Sequence, residues 1–107
     1  MNASVRNFLN RFIDEFILTG ISVESIILFG SQARGCAVAS SDIDVAVVSR
    51  TELSPAERGV FLNLAPCIDP RYDVDIFFTG SEHIENADKV LDTNYHIKRD
   101  GVVLWPR

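Results

Sequence analysis

Phe29-Gly30-Ser31-Gln32-Ala33-Arg34-Gly35-Cys36-Ala37-Val38-Ala39-Ser40-Ser41-Asp42-Ile43-Asp44-Val45-Ala46-Val47-Val48 is the stretch on which both the fold and the chemistry of this chain turn. An apolar run ends in Gly-Ser, a small-residue loop carries one arginine, and a second apolar run opens with two aspartates one residue apart. Val and Ile enrichment makes Asp42 to Val48 a strand. The run just before it, Ser25 to Phe29, is short and continuously apolar, as suits a strand buried on both faces. Gly30 and Ser31 break that strand, and Gln32 to Cys36 has the makings of a helical turn before the Gly/Ala/Ser loop.

Working outward, Val5, Phe8, Leu9, Phe12, Ile13, Phe16 and Ile17 recur at three- and four-residue steps. That periodicity predicts an amphipathic helix with Asn2 or Ser4 as its cap and Gly20 as its stop. The Phe-rich face of this helix is read as core. On the other side, Ser54-Pro55-Ala56-Glu57 combines an N-cap, a proline in the first turn and a capping-box glutamate, so a helix starts there and is expected to end at Pro66. A third strand is expected from Tyr72 to Phe78 after the Asp69-Pro70 turn. One last helix is expected from the Thr79-Gly80-Ser81 cap to Gly101, acidic early and basic late in keeping with its dipole. Val102 to Trp105 closes the pattern as a short strand. The order is that of an α/β (α+β) fold with helices packed on a small sheet.

Length and composition bound the function classes. At 107 residues the chain is expected to be one domain, residues 1–107, with 47% hydrophobic and 23% charged residues. No run approaches the roughly 20 apolar residues of a membrane span, and no signal peptide is evident, so a cytoplasmic protein is expected. Cys36 and Cys67 lack metal-binding or redox spacing and read as free thiols. His83 and His96 stand far in sequence from the acids and read as ordinary surface or half-buried histidines. The net charge of −5 argues against a free-standing nucleic-acid binder, but not against a nucleotide substrate whose charge a cation would offset.

The acids carry the chemistry. On a strand, Asp42 and Asp44 point to one face, roughly 6–7 Å apart. At an effective dielectric near 20 they repel by roughly 2.5 kcal/mol, in a fold whose total stability is about 5–15 kcal/mol. A divalent cation is the natural compensation; the plain alternative is two screened surface acids at the strand's mouth. Asp75 lies inside the third apolar strand, and if the two strands are neighbours it meets the pair on one face. Asp73 shares that face; Asp75 is favoured because it lies deeper in the apolar run, but spacing alone leaves both open. Three hard oxygen ligands suit Mg²⁺, which takes its remaining ligands from water and substrate phosphates. Gly30 and Ser31 supply a phosphate side, with a backbone open to close approach and a hydroxyl donor, and Arg34 one turn on offers a bidentate partner.

Gly30-Ser31, ten intervening residues and Asp42-Ile43-Asp44 resemble the GSx10DxD signature of the polymerase-β-like nucleotidyltransferase superfamily. The fuller string, Gly30 to Gly35 with Ser41-Asp42-Ile43-Asp44, is similar to its minimal nucleotidyltransferase (MntA-like) branch, and the likeness extends through Val74-Asp75-Ile76 to the Ile97–Leu104 ending. The resemblance implies the nucleotidyltransferase fold, a small mixed sheet backed by helices. It implies transfer of a nucleoside monophosphate, AMP from ATP, to an acceptor hydroxyl with release of pyrophosphate. Asp42, Asp44 and Asp75 would hold two Mg²⁺ ions, Asp75 would help deprotonate the acceptor, and Gly30 and Ser31 would bind the β- and γ-phosphates. Members of this branch are antitoxins encoded beside a HEPN-domain ribonuclease toxin, and some silence it by adenylylating a tyrosine. Larger relatives carry a further acceptor-binding domain that this chain has no room for, so the acceptor is expected to come on another protein. Two alternatives remain at this point: a non-catalytic module that neutralises its partner by contact, and a solitary transferase acting on a small molecule.

Overall fold

The computed structural model describes residues 1–38 and 41–107, so Ala39 and Ser40 of the expected small-residue loop lie outside the described residues. Local chemistry sets the element ends. The Asn2 side chain accepts the Val5 N–H at 2.8 Å and opens α1, Ala3–Thr19; Gly20, at φ +71°, ends it by returning its N–H to the Ile17 carbonyl. Strand β1 is Ser25–Phe29, and helix α2, Gly30–Arg34, begins directly at its end. Strand β2 is Ile43–Val48, so Asp42 lies immediately before it rather than within it. Ser54 and Glu57 form the reciprocal capping box of α3, Pro55–Ile68. Strand β3, Val74–Thr79, starts two residues later than expected and leaves Tyr72 and Asp73 in the approach to it.

Two expectations are corrected. Pro66 does not end α3; it lies inside the last turn and the helix runs on to Ile68. The carbonyl that loses a partner to the missing proline N–H belongs to Leu62, on the exposed side, where water can satisfy it. The expected single last helix is two, α4 (Ser81–Glu85) and α5 (Thr93–Asp100), separated by Asn86–Asp92. Asn86 caps the first, and Asp92 starts the second by accepting the Asn94 N–H at 2.9 Å. The Asn, Asp and Thr side chains that interrupt the pattern compete with the helical backbone. Strand β4, Val102–Trp105, follows Gly101.

The four strands form one mixed sheet in the order β3-β2-β1-β4. β1 is antiparallel to β2 and β4, while β2 and β3 are parallel. Alternation divides the central strands between two unequal layers. Ile43, Val45 and Val47 join Ile26 and Leu28 against α1 and α3, where Phe12, Phe16 and Phe61 are fully buried. Each such ring contributes about 2–3 kcal/mol of hydrophobic stabilisation. Tyr72 stacks on Phe8 at 4.5 Å and Trp105 meets Phe16 edge-on at 5.1 Å, which places both in this layer. The opposite face carries a thinner cluster of Phe29, Ala46 and Ile97 with Ile27, Phe77 and Ile84. Asp44 shares that thin face with Ala46.

Candidate active site

Parallel pairing of β2 and β3 sets the acids. Asp44 is the register partner of Asp75, so their side chains leave adjacent strands on one face, roughly 5 Å apart at ordinary strand spacing. Asp42 lies two residues ahead of Asp44 at the exposed mouth of β2. Asp73 precedes β3, and its carbonyl accepts the Ile43 N–H at 2.9 Å, so the main chain carries the parallel pairing on past Val74 to the level of Asp42, while Asp75 is the register partner of Asp44.

On the other side of β2, Phe29 pairs with Asp44, and the chain turns into α2 at that level. Gly30 makes the turn at φ +72°, and a Cβ there would fall inside the Asp44 carboxylate. Two requirements therefore converge on glycine: a left-handed backbone, and room for a carboxylate pressed against the main chain. Ser31 follows in the first turn of α2, half-buried. The motif's two halves, ten residues apart in sequence, are in contact in the fold.

The electrostatics agree with the packing. Burial pushes the Asp44 carboxyl above its ordinary value of 3.8, the charges of Asp75 and Asp42 push it further, and Arg34 pulls it back. Among the described residues, none of the three acids has an ion-pair partner within 4 Å. Also among the described residues, no group of three or more His, Cys, Asp or Glu side chains is placed to hold a metal ion by itself. The donors are nonetheless of the right kind for a hard divalent cation. Mg²⁺ is characteristically held by one or two carboxylates, waters and substrate phosphates rather than by an all-protein cage, so the open arrangement fits it.

Arg34 ends α2, half-exposed, and Gly35 at φ +73° caps it. Its guanidinium is 4.0 Å from Asp100, the last residue of α5. The two are an ion pair without a hydrogen bond; Asp100 accepts two hydrogen bonds from Arg99, at 3.0 and 2.8 Å, which hold its carboxyl below the usual range, with help from the charges of Arg99 and Arg34. Sequence reasoning missed Asp100, because the Lys98-Arg99-Asp100-Gly101 run was read only as the basic end of a helix. No local pattern signals it; in the fold its place is set by Gly101, where a Cβ would collide with the Ile97 carbonyl and the Ile27 side chain.

Elsewhere, a cleft of about 750 Å³ lies toward the opposite ends of β2 and β3, beside Ser49, Thr79 and Asn94. It is separate from the acids. Cys36 and Cys67 are both free and exposed, and His96 binds the Val90 carbonyl at 2.6 Å rather than any acid of the site. No helix among the described residues is long and apolar enough to cross a membrane.

A four-stranded mixed sheet with helices on both faces, carrying acids from two parallel strands against a Gly-Ser turn, defines an α/β fold of the nucleotidyltransferase kind. Residues 12–105 match the model of the polymerase beta nucleotidyltransferase family, and the chain belongs to that family. It is similar to a solved toxin-antitoxin structure with AMP-PNP, at 29% identity and a TM-score of 0.60, over 88% of this chain and 70% of that one. It is also similar to a mutant of the MntA-HpeT toxin-antitoxin, at 27% identity and a TM-score of 0.57, over 98% and 72%. A proposed nucleotidyltransferase from Sulfolobus solfataricus shares the fold, at 23% identity and a TM-score of 0.56, over 94% and 81%. Among curated protein sequences no relative matches.

Proposed function

We propose that this nucleotidyltransferase is the antitoxin of a two-protein pair and transfers AMP from Mg²⁺-bound ATP to a hydroxyl of its toxin. The observation that carries the reading is the meeting of Asp44, Asp75 and the Gly30 backbone, which puts two carboxylates and the Gly-Ser turn in one place. Family membership supplies the reaction class. Two of its structural relatives are toxin-antitoxin proteins, one of them with an ATP analogue, which supports both the donor and the partner. A HEPN-domain protein is the expected toxin, a tyrosine its expected acceptor and the cytoplasm the site of the reaction.

In this reading Asp42, Asp44 and Asp75 hold the metal ions, and Gly30 and Ser31 receive the β- and γ-phosphates. Bound Mg²⁺ would neutralise charge on the triphosphate and on the leaving pyrophosphate. The acceptor oxygen forms a bond to the α-phosphorus, the bond from that phosphorus to the bridging oxygen breaks, and pyrophosphate leaves with the electron pair. Asp75, exposed at the edge strand, takes the acceptor proton. Arg34, whose charge bears on Asp44, would meet the incoming phosphates from the end of α2.

The test is intact mass of the partner encoded beside this chain after incubation with the protein, ATP and Mg²⁺. A gain of one or more AMP units is expected, and the Asp42→Asn/Asp44→Asn double variant should abolish it. Transfer undiminished in that variant would remove the proposed site. Neutralisation of the partner by the double variant, with no mass gain from the wild type, would favour inhibition by contact.

A further inference from the structure

Among the described residues Arg34 is a cation whose charge bears on Asp44, yet it stands on a five-residue helix and is half-exposed. A long, flexible side chain in that position loses much rotamer entropy whenever it is fixed on a ligand, unless something fixes it beforehand. Asp100 is the candidate for that work. Its carboxylate is mostly buried, 19% exposed, and lies 4.0 Å from the guanidinium, while Arg99 holds it through two hydrogen bonds. Its own place is fixed from behind. The Gly101 N–H bonds to the Ile97 carbonyl at 2.9 Å, and the Gly101 backbone packs on Ile97 and Ile27 so tightly that no β-carbon fits. The end of α5 is thereby set against β1, at the level of α2.

We propose that Asp100 is a positioning residue: it holds the Arg34 guanidinium at the rim of the acid-bearing face, oriented to receive a triphosphate. This rests on the nucleotidyltransferase reading above. One edge of the guanidinium faces Asp100 and leaves the other donors for phosphate oxygens. Arg99 keeps Asp100 from following Arg34 toward the ligand.

A double-mutant cycle tests this with Mg²⁺ and AMP-PNP as the probe, using equilibrium binding to the full chain and thermal melting to confirm folding. Asp100→Asn should weaken binding about threefold to fivefold, the upper range for a partly exposed pair. In the Arg34→Gln background the same change should leave binding unchanged or tighten it, since it then only removes a negative charge near a triphosphate. Equal weakening in both backgrounds, or none in the wild type, would overturn the proposal. Failure of the wild type to bind Mg²⁺ and AMP-PNP would instead reject the nucleotidyltransferase reading, and this inference with it. A second readout needs no nucleotide: side-chain NMR relaxation of the Arg34 guanidinium should report greater mobility in Asp100→Asn than in the wild type, and unchanged mobility would also overturn the proposal.

Discussion

Replacing Asp44 by asparagine should make the metal-free protein more stable while weakening its response to Mg²⁺. Asp44 and Asp75 are register partners on parallel strands, which sets their charges roughly 5 Å apart. Coulomb repulsion at that distance is about 3 kcal/mol at an effective dielectric of 20 and about 0.8 kcal/mol in bulk water. Asp75 is exposed, so the value belongs near the lower end, and burial of Asp44 adds to it in the same direction. We take about 1 kcal/mol. For a chain of this size that corresponds to a rise in Tm of about 4–8 °C. The wild type should gain stability from added Mg²⁺ by mass action, and Asp44→Asn should gain much less, because a ligand oxygen has lost its charge. Asp75→Asn should behave alike, and the two should be sub-additive, since either one already removes their mutual repulsion. Thermal melts of the three variants, with a chelator and then with Mg²⁺, decide the matter. A metal-free Asp44→Asn variant that melts at or below the wild type would refute the electrostatic argument. Equal Mg²⁺ stabilisation in wild type and variant would refute Asp44 as a ligand.

Two further outcomes follow from the same geometry. Gly30→Ala and Gly35→Ala impose the same left-handed backbone, at φ +72° and +73°, but only the first sends a Cβ into a carboxylate. Both should lose roughly 1–2 kcal/mol of stability to left-handed strain, and Gly30→Ala should in addition displace Asp44 and weaken Mg²⁺ and AMP-PNP binding, so equal melting and equal binding of the two would remove the argument from the clash. The pH dependence has two opposed parts. Asp44 has a raised pKa in the fold, so the metal-free protein gains stability as pH falls through that raised value toward 3.8, and the gain is lost as pH rises back through it. Asp69, held down to about 2 by its hydrogen bonds with Arg71, stabilises above 3.8, and that contribution is lost as pH falls toward 2. Melting temperature in chelator should therefore rise from neutral pH into mildly acidic conditions before falling, and the Asp44→Asn variant should lack the rise.

What was legible in the sequence was what neighbouring residues decide. Asn2 and Gly20 bound α1, the Ser54–Glu57 box opens α3, and Ser25–Phe29 is a strand at both of its expected ends, because each depends on chemistry within a few positions. Gly101 closes α5 as expected, but the charge gradient that predicts one helix from Ser81 onward hides the Asn86 and Asp92 caps that divide it. Pro66 was overruled because its orphaned carbonyl faces solvent, a fact of tertiary packing. The choice between Asp73 and Asp75 lay beyond local pattern for a related reason. Both alternate onto one face, and only the parallel register of β2 with β3 sets Asp75 beside Asp44. Arg34 and Asp100 are further apart still, 66 positions in sequence and 4.0 Å in space. No periodicity or spacing rule joins them. Their approach depends on a glycine packed where no side chain fits, at Gly101, just as the approach of the Gly-Ser turn to Asp44 depends on Gly30. The positive rim and the negative floor of the candidate site are thus assembled by the same means, main chain brought close enough to exclude a β-carbon, and that closeness is a property of the whole sheet rather than of either motif.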